Sequence, residues 1–325
     1  MYALSGGDEM ASDHSTIHIS ELSPQRLGRI RTLLLDWYEE HKQNLPWHDA
    51  NDPYLSLVAA VSAQQTQMSR MLEVYERWIQ AFPTLESVAT ASRTDVLRVW
   101  GRAGYPRRAA NLHETARICR DRHNGRLPRD HDALLALPGV GPFTAAIVSS
   151  FGFGDDVPAV DTNIIRVIGR LICGDLQPAI ETPRSIIDGL ATELLRPGTA
   201  SRWNPALMDY GARVCTPRPH CNQCVVRQFC SAHHRFAAGE IAEPVRSQGR
   251  FAGSDRELRG RLMQVLRDHE EKPNDAPCLV TKVLKTVSKT DSERRRAQAL
   301  LKLLVNEKSA WVEGRLCGLG DPPSH

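Results

Sequence analysis

Apolar residues along the chain recur at helical spacing far more often than they alternate. Leu27, Ile30, Leu34 and Trp37 share one face of a helix that starts at Ser23-Pro24, with Ser as N-cap and Pro in the first turn. Residues 55–63 are almost wholly apolar, which predicts a buried helix. The polar cluster Gln64-Gln65-Thr66-Gln67 ends it. Leu72, Tyr75, Ile79 and Phe82 mark one face of the next helix, and further helices are predicted over 85–91, 94–100, 107–122 and 133–137. Others follow Leu137-Pro138-Gly139-Val140-Gly141-Pro142, open at Val160-Asp161-Thr162-Asn163, and cover 183–195 and 204–212. No segment before the cysteines alternates with period two, so this part reads as all-α. Beyond residue 252 the pattern predicts helices over 255–268, 279–286 and 292–306, then a hairpin near Trp311–Leu316. That order suggests a small winged-helix-like module.

Composition narrows the class. A chain of 325 residues has room for two or three domains. Its apolar and charged fractions, 41% and 24%, are those of a soluble globular protein. No apolar run reaches membrane length and no secretory signal is apparent, so the expected compartment is the cytoplasm, without a membrane partner. Net charge is only +3, so a nucleic-acid surface has to be a local patch. One such patch is the basic stretch Lys282, Lys285, Lys289, Arg294, Arg295 and Arg296. It is either the DNA-facing side of the winged helix or a solvated helix face.

Three groups of residues carry candidate chemistry. Gly139 and Gly141 bracket Val140 in a tight turn before a helix, where backbone N–H groups can converge on a phosphate. An ordinary turn between two helices is the alternative. Asp161 is placed to cap the helix after it, which leaves room for a second role. Cys215, Cys221, Cys224 and Cys230 fall within sixteen residues, which points to a metal and not to a disulfide framework. Their single C-x2-C knuckle suits a 4Fe–4S cluster better than zinc, although His220, His233 and His234 keep zinc open. Arg213, Arg218 and Arg227 on the same loop could meet phosphate.

Taken in order, Leu45-Pro46-Trp47, Asp52-Pro53-Tyr54, Gln64-Gln65-Thr66-Gln67, Gly104-Tyr105, Leu137–Gly141, Val160–Asn163, Met208–Ala212 and the four cysteines resemble the MutY branch of the endonuclease III, or helix-hairpin-helix, DNA glycosylases. The likeness covers roughly residues 25–235. The tail resembles that of short actinobacterial MutY-like proteins. It implies a two-lobed glycosylase fold: a six-helix barrel over 46–156, and an iron–sulfur lobe from 24–45 and 157–234. A tail (1–23), a linker (235–251) and the winged-helix-like module (252–325) complete the chain. The implied partner of a monomeric protein is double-stranded DNA carrying a mismatch or a damaged base, flipped into a cleft between the lobes. Asp161 and Asn163 would be the catalytic pair. Gln65 and Thr66 would approach the gap in the stack, Tyr105 would wedge beside the opposite base, and Gly139, Gly141, Phe143 and Ala60 would complete the DNA and base contacts.

The chain departs from that pattern at three places. Ala60 stands where MutY has a glutamate, four residues before the first glutamine of the run. Phe143 stands where MutY often has tyrosine and endonuclease III has lysine. The first cysteine spacing is five, against six in the family. Without lysine no Schiff base of the family type forms, so lyase activity is not expected. Without the glutamate, adenine lacks its acid. The expected function is base excision by a monofunctional glycosylase acting on a pyrimidine, an alkylated purine, or adenine with a recruited acid such as Glu73, Glu76 or His48. The alternative is a DNA- or lesion-binding paralogue without catalysis.

Overall fold

The computed structural model describes residues 23–48, 51–64, 67–242, 249–270 and 278–322. Residues 1–22, and the site residues Gln65 and Thr66, lie outside the described residues. In chain order the helices are α1 (Pro24–His41), α2 (Pro53–Ala63), α3 (Met68–Ala81), α4 (Leu85–Thr90), α5 (Arg93–Trp100), α6 (Arg107–Arg122), α7 (His131–Leu135) and α8 (Pro142–Ile147). Then come α9 (Thr162–Ile168), α10 (Pro178–Glu181), α11 (Arg184–Leu194), α12 (Ala200–Arg213), α13 (His233–Ala237), α14 (Asp255–Glu270), α15 (Val280–Val287) and α16 (Asp291–Asn306). Both α8 and α9 run on into a π-helical turn, Val148–Gly152 and Gly169–Cys173.

Local chemistry sets most of these starts. Ser23 caps α1, Asp52 caps α2, Ser92 caps α5 and Asp130 caps α7, each accepting from a backbone N–H of the first turn. The buried stripe of α3 is Met71, Val74, Tyr75 and Trp78, rotated from the face expected from sequence, so Leu72 and Ile79 are only partly covered. Trp78 decides the rotation, because the largest side chain on the helix packs between Phe82 and Trp100.

The chain forms two compact units, Met1–Asn44 with Asp156–Val245, and Leu45–Asp155 with Arg246–His325. In the first, Ile30, Leu34 and Trp37 of α1 pack with Ile164 and Ile168 of α9 and with Trp203, Leu207 and Tyr210 of α12. In the second, α2 is central. Eight of its eleven residues are buried, as expected of a helix apolar on all sides. It packs against α3, α8 and the π turn after α8.

The C-terminal segment belongs to that second unit, and its core is continuous with that of α2–α8. It has the winged-helix order α14, β1 (Cys278–Leu279), α15, α16, β2 (Ala310–Glu313) and β3 (Leu316–Leu319), with antiparallel sheet order β1-β3-β2. Residue 279, expected from the periodicity to begin a helix, is in a strand instead, because Leu279 pairs with Leu316, and Cys278 with Cys317. No described helix is long and apolar enough to cross a membrane.

Candidate functional site

The first unit carries Asp161. Asn204 of α12 fixes the approach: its Oδ1 accepts from Ala159 N at 3.1 Å and its Nδ2 donates to Val157 O at 2.9 Å. Asp161 then caps α9, with Oδ1 accepting from Ile164 N at 2.7 Å. Its Oδ2 accepts from Asn163 Nδ2 at 2.8 Å. Burial pushes the Asp161 carboxyl above the usual range, and these two donors oppose that rise. The sequence expectation that Asp161 is an N-cap is met, and Asn163 lies beside it.

A third residue, not anticipated from sequence, joins them. Arg166 donates through Nη2 to Asn163 Oδ1 at 2.7 Å and to Gly211 O at 2.6 Å, and through Nε to Cys215 O at 2.6 Å. The bond to Asn163 Oδ1 fixes which end of that amide faces Asp161. Gly211 is required here, since an added Cβ would lie 2.6 Å from Asn163 Cβ. The spacing of Asn163 and Arg166, three apart on one helix, was the available signal. The Cys215 carbonyl could not have been found that way.

The loop from Cys215 to Cys230 is pinned by the buried Arg170. It donates to Thr216 O at 2.6 Å, Pro217 O at 3.0 Å and Leu176 O at 3.0 Å, and lies 3.7 Å from Cys215 Sγ. Tyr210 donates to Cys224 Sγ at 3.1 Å and accepts from Val225 N at 3.0 Å. Burial and the neighbouring thiols push Cys230 up to about 12, and Cys215 and Cys221 also rise, chiefly through burial. Cys230 Sγ lies 3.5 Å from Arg170 O, so Arg170 touches both the first and the last cysteine of the loop. Among the described residues no three such side chains converge closely enough to hold a single ion. The three loop arginines are all exposed, and Arg213 also bonds His41 O at 2.8 Å and lies over the Trp37 ring.

The second unit carries the remaining candidates. Gly139 has φ +77°, and a Cβ there would lie 2.6 Å from Asn111 Nδ2. Gly141 has ordinary extended backbone and open space around its Cα. The two glycines therefore differ: the first is demanded by the fold, the second leaves room for something outside it. Phe143 is half-buried in α8, and Ala60 is buried in α2. Gln64 Nε2 lies 3.4 Å from Thr144 Oγ1, joining the end of α2 to α8. Tyr105 is 45% exposed at φ +46°, directly after Gly104 at φ +78°. Trp47 and Tyr54, quoted for the resemblance, serve packing. Trp47 lies edge-on to Tyr75, and Tyr54 donates to Phe82 O at 2.6 Å. Glu73 and Glu76 lie on the exposed side of α3, and Glu73 faces a groove that Gln264 and Arg267 of α14 also line. His48 stacks on Phe151.

Residues 58–186 match the family described as HhH-GPD superfamily base excision DNA repair protein. An adenine DNA glycosylase of Mycobacterium tuberculosis is 41% identical over 242 residues, 74% of this chain and 79% of that protein. The chain belongs to the MutY branch of this superfamily. It is thus a base-excision DNA repair protein of the glycosylase type. The adenine DNA glycosylase of Mycolicibacterium smegmatis is 38% identical over 295 residues, 89% of this chain and 96% of that protein. Among solved structures, a thermostable thymine-DNA glycosylase superposes with TM-score 0.61 at 26% identity, covering 67% of this chain and all of that one. Endonuclease III in a trapped DNA complex superposes with TM-score 0.55 at 23% identity, covering 65% and 98%, a likeness of fold.

Proposed function

We propose that this MutY relative is a monofunctional DNA glycosylase whose base departs without ring protonation. Its substrate class is a mismatched thymine or uracil, which leaves as a stabilised anion, or a cationic alkylated purine, which leaves neutral. The observation that carries this is Ala60, a buried methyl group where the branch has its acid. Loss of a general acid costs about two to four decades in rate, which adenine tolerates poorly. Glu73 and Glu76, on the exposed side of α3, are poor replacements. The likeness to a thymine-DNA glycosylase agrees with a pyrimidine substrate. The adenine glycosylases it resembles more closely in sequence make adenine opposite 8-oxoguanine the necessary comparison.

In this mechanism the C1′–N bond breaks and its electron pair leaves with the base. Asp161, ionised, stabilises the sugar oxocarbenium ion, and water adds at C1′ and releases its proton to solvent. Asn163 and Arg166 hold the carboxylate in orientation. With phenylalanine at 143 the reaction stops at the abasic site. Cys215, Cys221, Cys224 and Cys230 would hold a 4Fe–4S cluster, which fits four cysteines on one loop held by Arg170 and Tyr210 and would supply rigidity to the loop on which Arg166 leans. The protein would act as a monomer on duplex DNA.

A second reading is a binder without catalysis. It is favoured by one observation: both carboxylate oxygens of Asp161 already accept hydrogen bonds. Single-turnover assays separate the two, on duplexes containing G·T, G·U, alkylated purines and A opposite 8-oxoguanine, followed by heat–alkali cleavage. Wild type should cut at the pyrimidine or alkylpurine, and Asp161→Asn should abolish it. Ala60→Glu should not help these substrates. Strong adenine excision by Ala60→Glu beside an inactive wild type would favour the binder.

A further inference from the structure

Helix α6 turns one polar stripe toward three separate segments. Arg108, Asn111 and Thr115 lie at i, i+3 and i+7 on it. Thr115 Oγ1 donates to Pro138 O at 3.1 Å, and Asn111 lies under Gly139, so both meet the hairpin. Arg108 meets the other two segments and is buried there, although an arginine is normally exposed. Its Nη1 donates to Gln64 O at 2.7 Å, Val61 O at 2.9 Å and Ser62 O at 3.4 Å, the last carbonyls of α2. Its Nη2 donates to Ala103 O at 3.2 Å and Gly104 O at 3.4 Å. The guanidinium also lies over two rings, 5.0 Å from the Trp100 centroid and 5.5 Å from the Tyr105 centroid.

The partners explain why an arginine is buried here. Helix ends leave carbonyls without intrahelical donors, and a cation satisfies several at once. Burial lowers the Arg108 guanidinium to about 10, so it stays charged at neutral pH. Tyr105 needs such a support. An exposed non-glycine residue at φ +46° is strained, and strain persists only where its surroundings hold it. Trp100 Nε1 adds a bond to Gly104 O at 2.9 Å.

We propose that Arg108 is a positioning residue that locks the end of α2 and the Gly104-Tyr105 turn into one rigid edge. On the proposed function, that edge offers Tyr105 to DNA as a preformed wedge, without an ordering cost on binding. Lysine cannot replace it: its donors radiate from one nitrogen and cannot span both carbonyl groups, and it has no planar group to lay over the two rings.

Hydrogen exchange on the full chain tests the lock. In Arg108→Lys and Arg108→Gln, segments 58–64 and 101–105 should both exchange faster, by roughly tenfold or more for bonds of this kind, while 131–147 keeps its protection. Acceleration of only one segment, of neither, or of the whole unit alike would overturn the lock. In the wild-type chain the Arg108 guanidinium protons should exchange slowly, a reading that stands even if the variants do not fold; fast exchange there would also overturn it. A 2-aminopurine placed opposite a mismatch reads the wedge. Arg108→Lys should lose as much of its fluorescence rise as Tyr105→Ala, and the double variant no more than either. Additive losses would mean that Arg108 does not act through Tyr105. If Tyr105→Ala changes nothing while the exchange pattern holds, the DNA reading fails and the lock stands.

Discussion

Asp161, Asn163 and Arg166 show how few groups set the state of one carboxylate. Burial favours the neutral acid, and the donors from Ile164 and Asn163 favour the anion; burial prevails, so the folded value lies above the ordinary one. The Asp161 anion, which the proposed mechanism requires, is therefore present above that raised value and lost as pH falls through it. Asn163→Ala removes a donor to the anion, so the acid limb of the excision rate should move to higher pH. The sign for stability is opposite: between the ordinary and the raised value the folded state binds more protons, so stability falls as pH rises. A pH–rate profile of the variant that overlays wild type would remove Asn163 from this role. At this scale type and spacing marked Asp161 as a cap and grouped the four cysteines, whereas Ala60 stood out only through the resemblance. The sequence hid Arg108, Arg166 and Arg170. Arginine is normally exposed, and these three are covered only because distant carbonyls meet them.

Among elements, the helix start at Ser23-Pro24, where a cap and a proline coincide, was legible, whereas α2 begins at Pro53 after the Asp52 cap, two residues before the expected start. The π turns after α8 and α9 and the two-residue β1 were not legible, since packing and remote pairing create them. The hairpin separates two kinds of glycine. Gly139→Ala should destabilise the chain, by about 1–3 kcal/mol for a strained or overpacked site, read by thermal denaturation. Gly141→Asp should leave stability near wild type and weaken binding to every duplex alike, because phosphate contacts carry no sequence information. Weakening confined to one lesion would contradict that. The cysteine loop makes a separate prediction. Anaerobically purified protein should be brown with broad visible thiolate-to-iron absorption, and a colourless protein holding one zinc would refute the cluster.

At the scale of the whole molecule, the winged-helix-like segment is built onto the barrel. Thr94 Oγ1 donates to Leu319 O at 2.9 Å, Arg267 Nη1 donates to Gly101 O at 2.8 Å, and a Cβ on Gly320 would lie 2.7 Å from Thr94 N. Truncation would therefore bare apolar core, and charge removal is the cleaner test of a role in DNA binding. Arg294 and Arg296 pair with Asp291 and Asp255, whereas Lys282, Lys285 and Arg295 are exposed. Replacing those three by glutamine should flatten the plot of log affinity against log salt by about 0.9 for each phosphate that is no longer neutralised. An unchanged slope would make this a solvated face. The shared core also has a kinetic consequence. Cys119 in α6 and Cys317 in β3 are fully covered, and burial pushes their thiols to about 11 and 12. Neither can react with an alkylating reagent until its surroundings open. Two thiols in segments far apart along the chain thus time the same event. In dilute denaturant they should be modified at one common rate, and a faster Cys317 would reveal that the C-terminal segment can detach by itself.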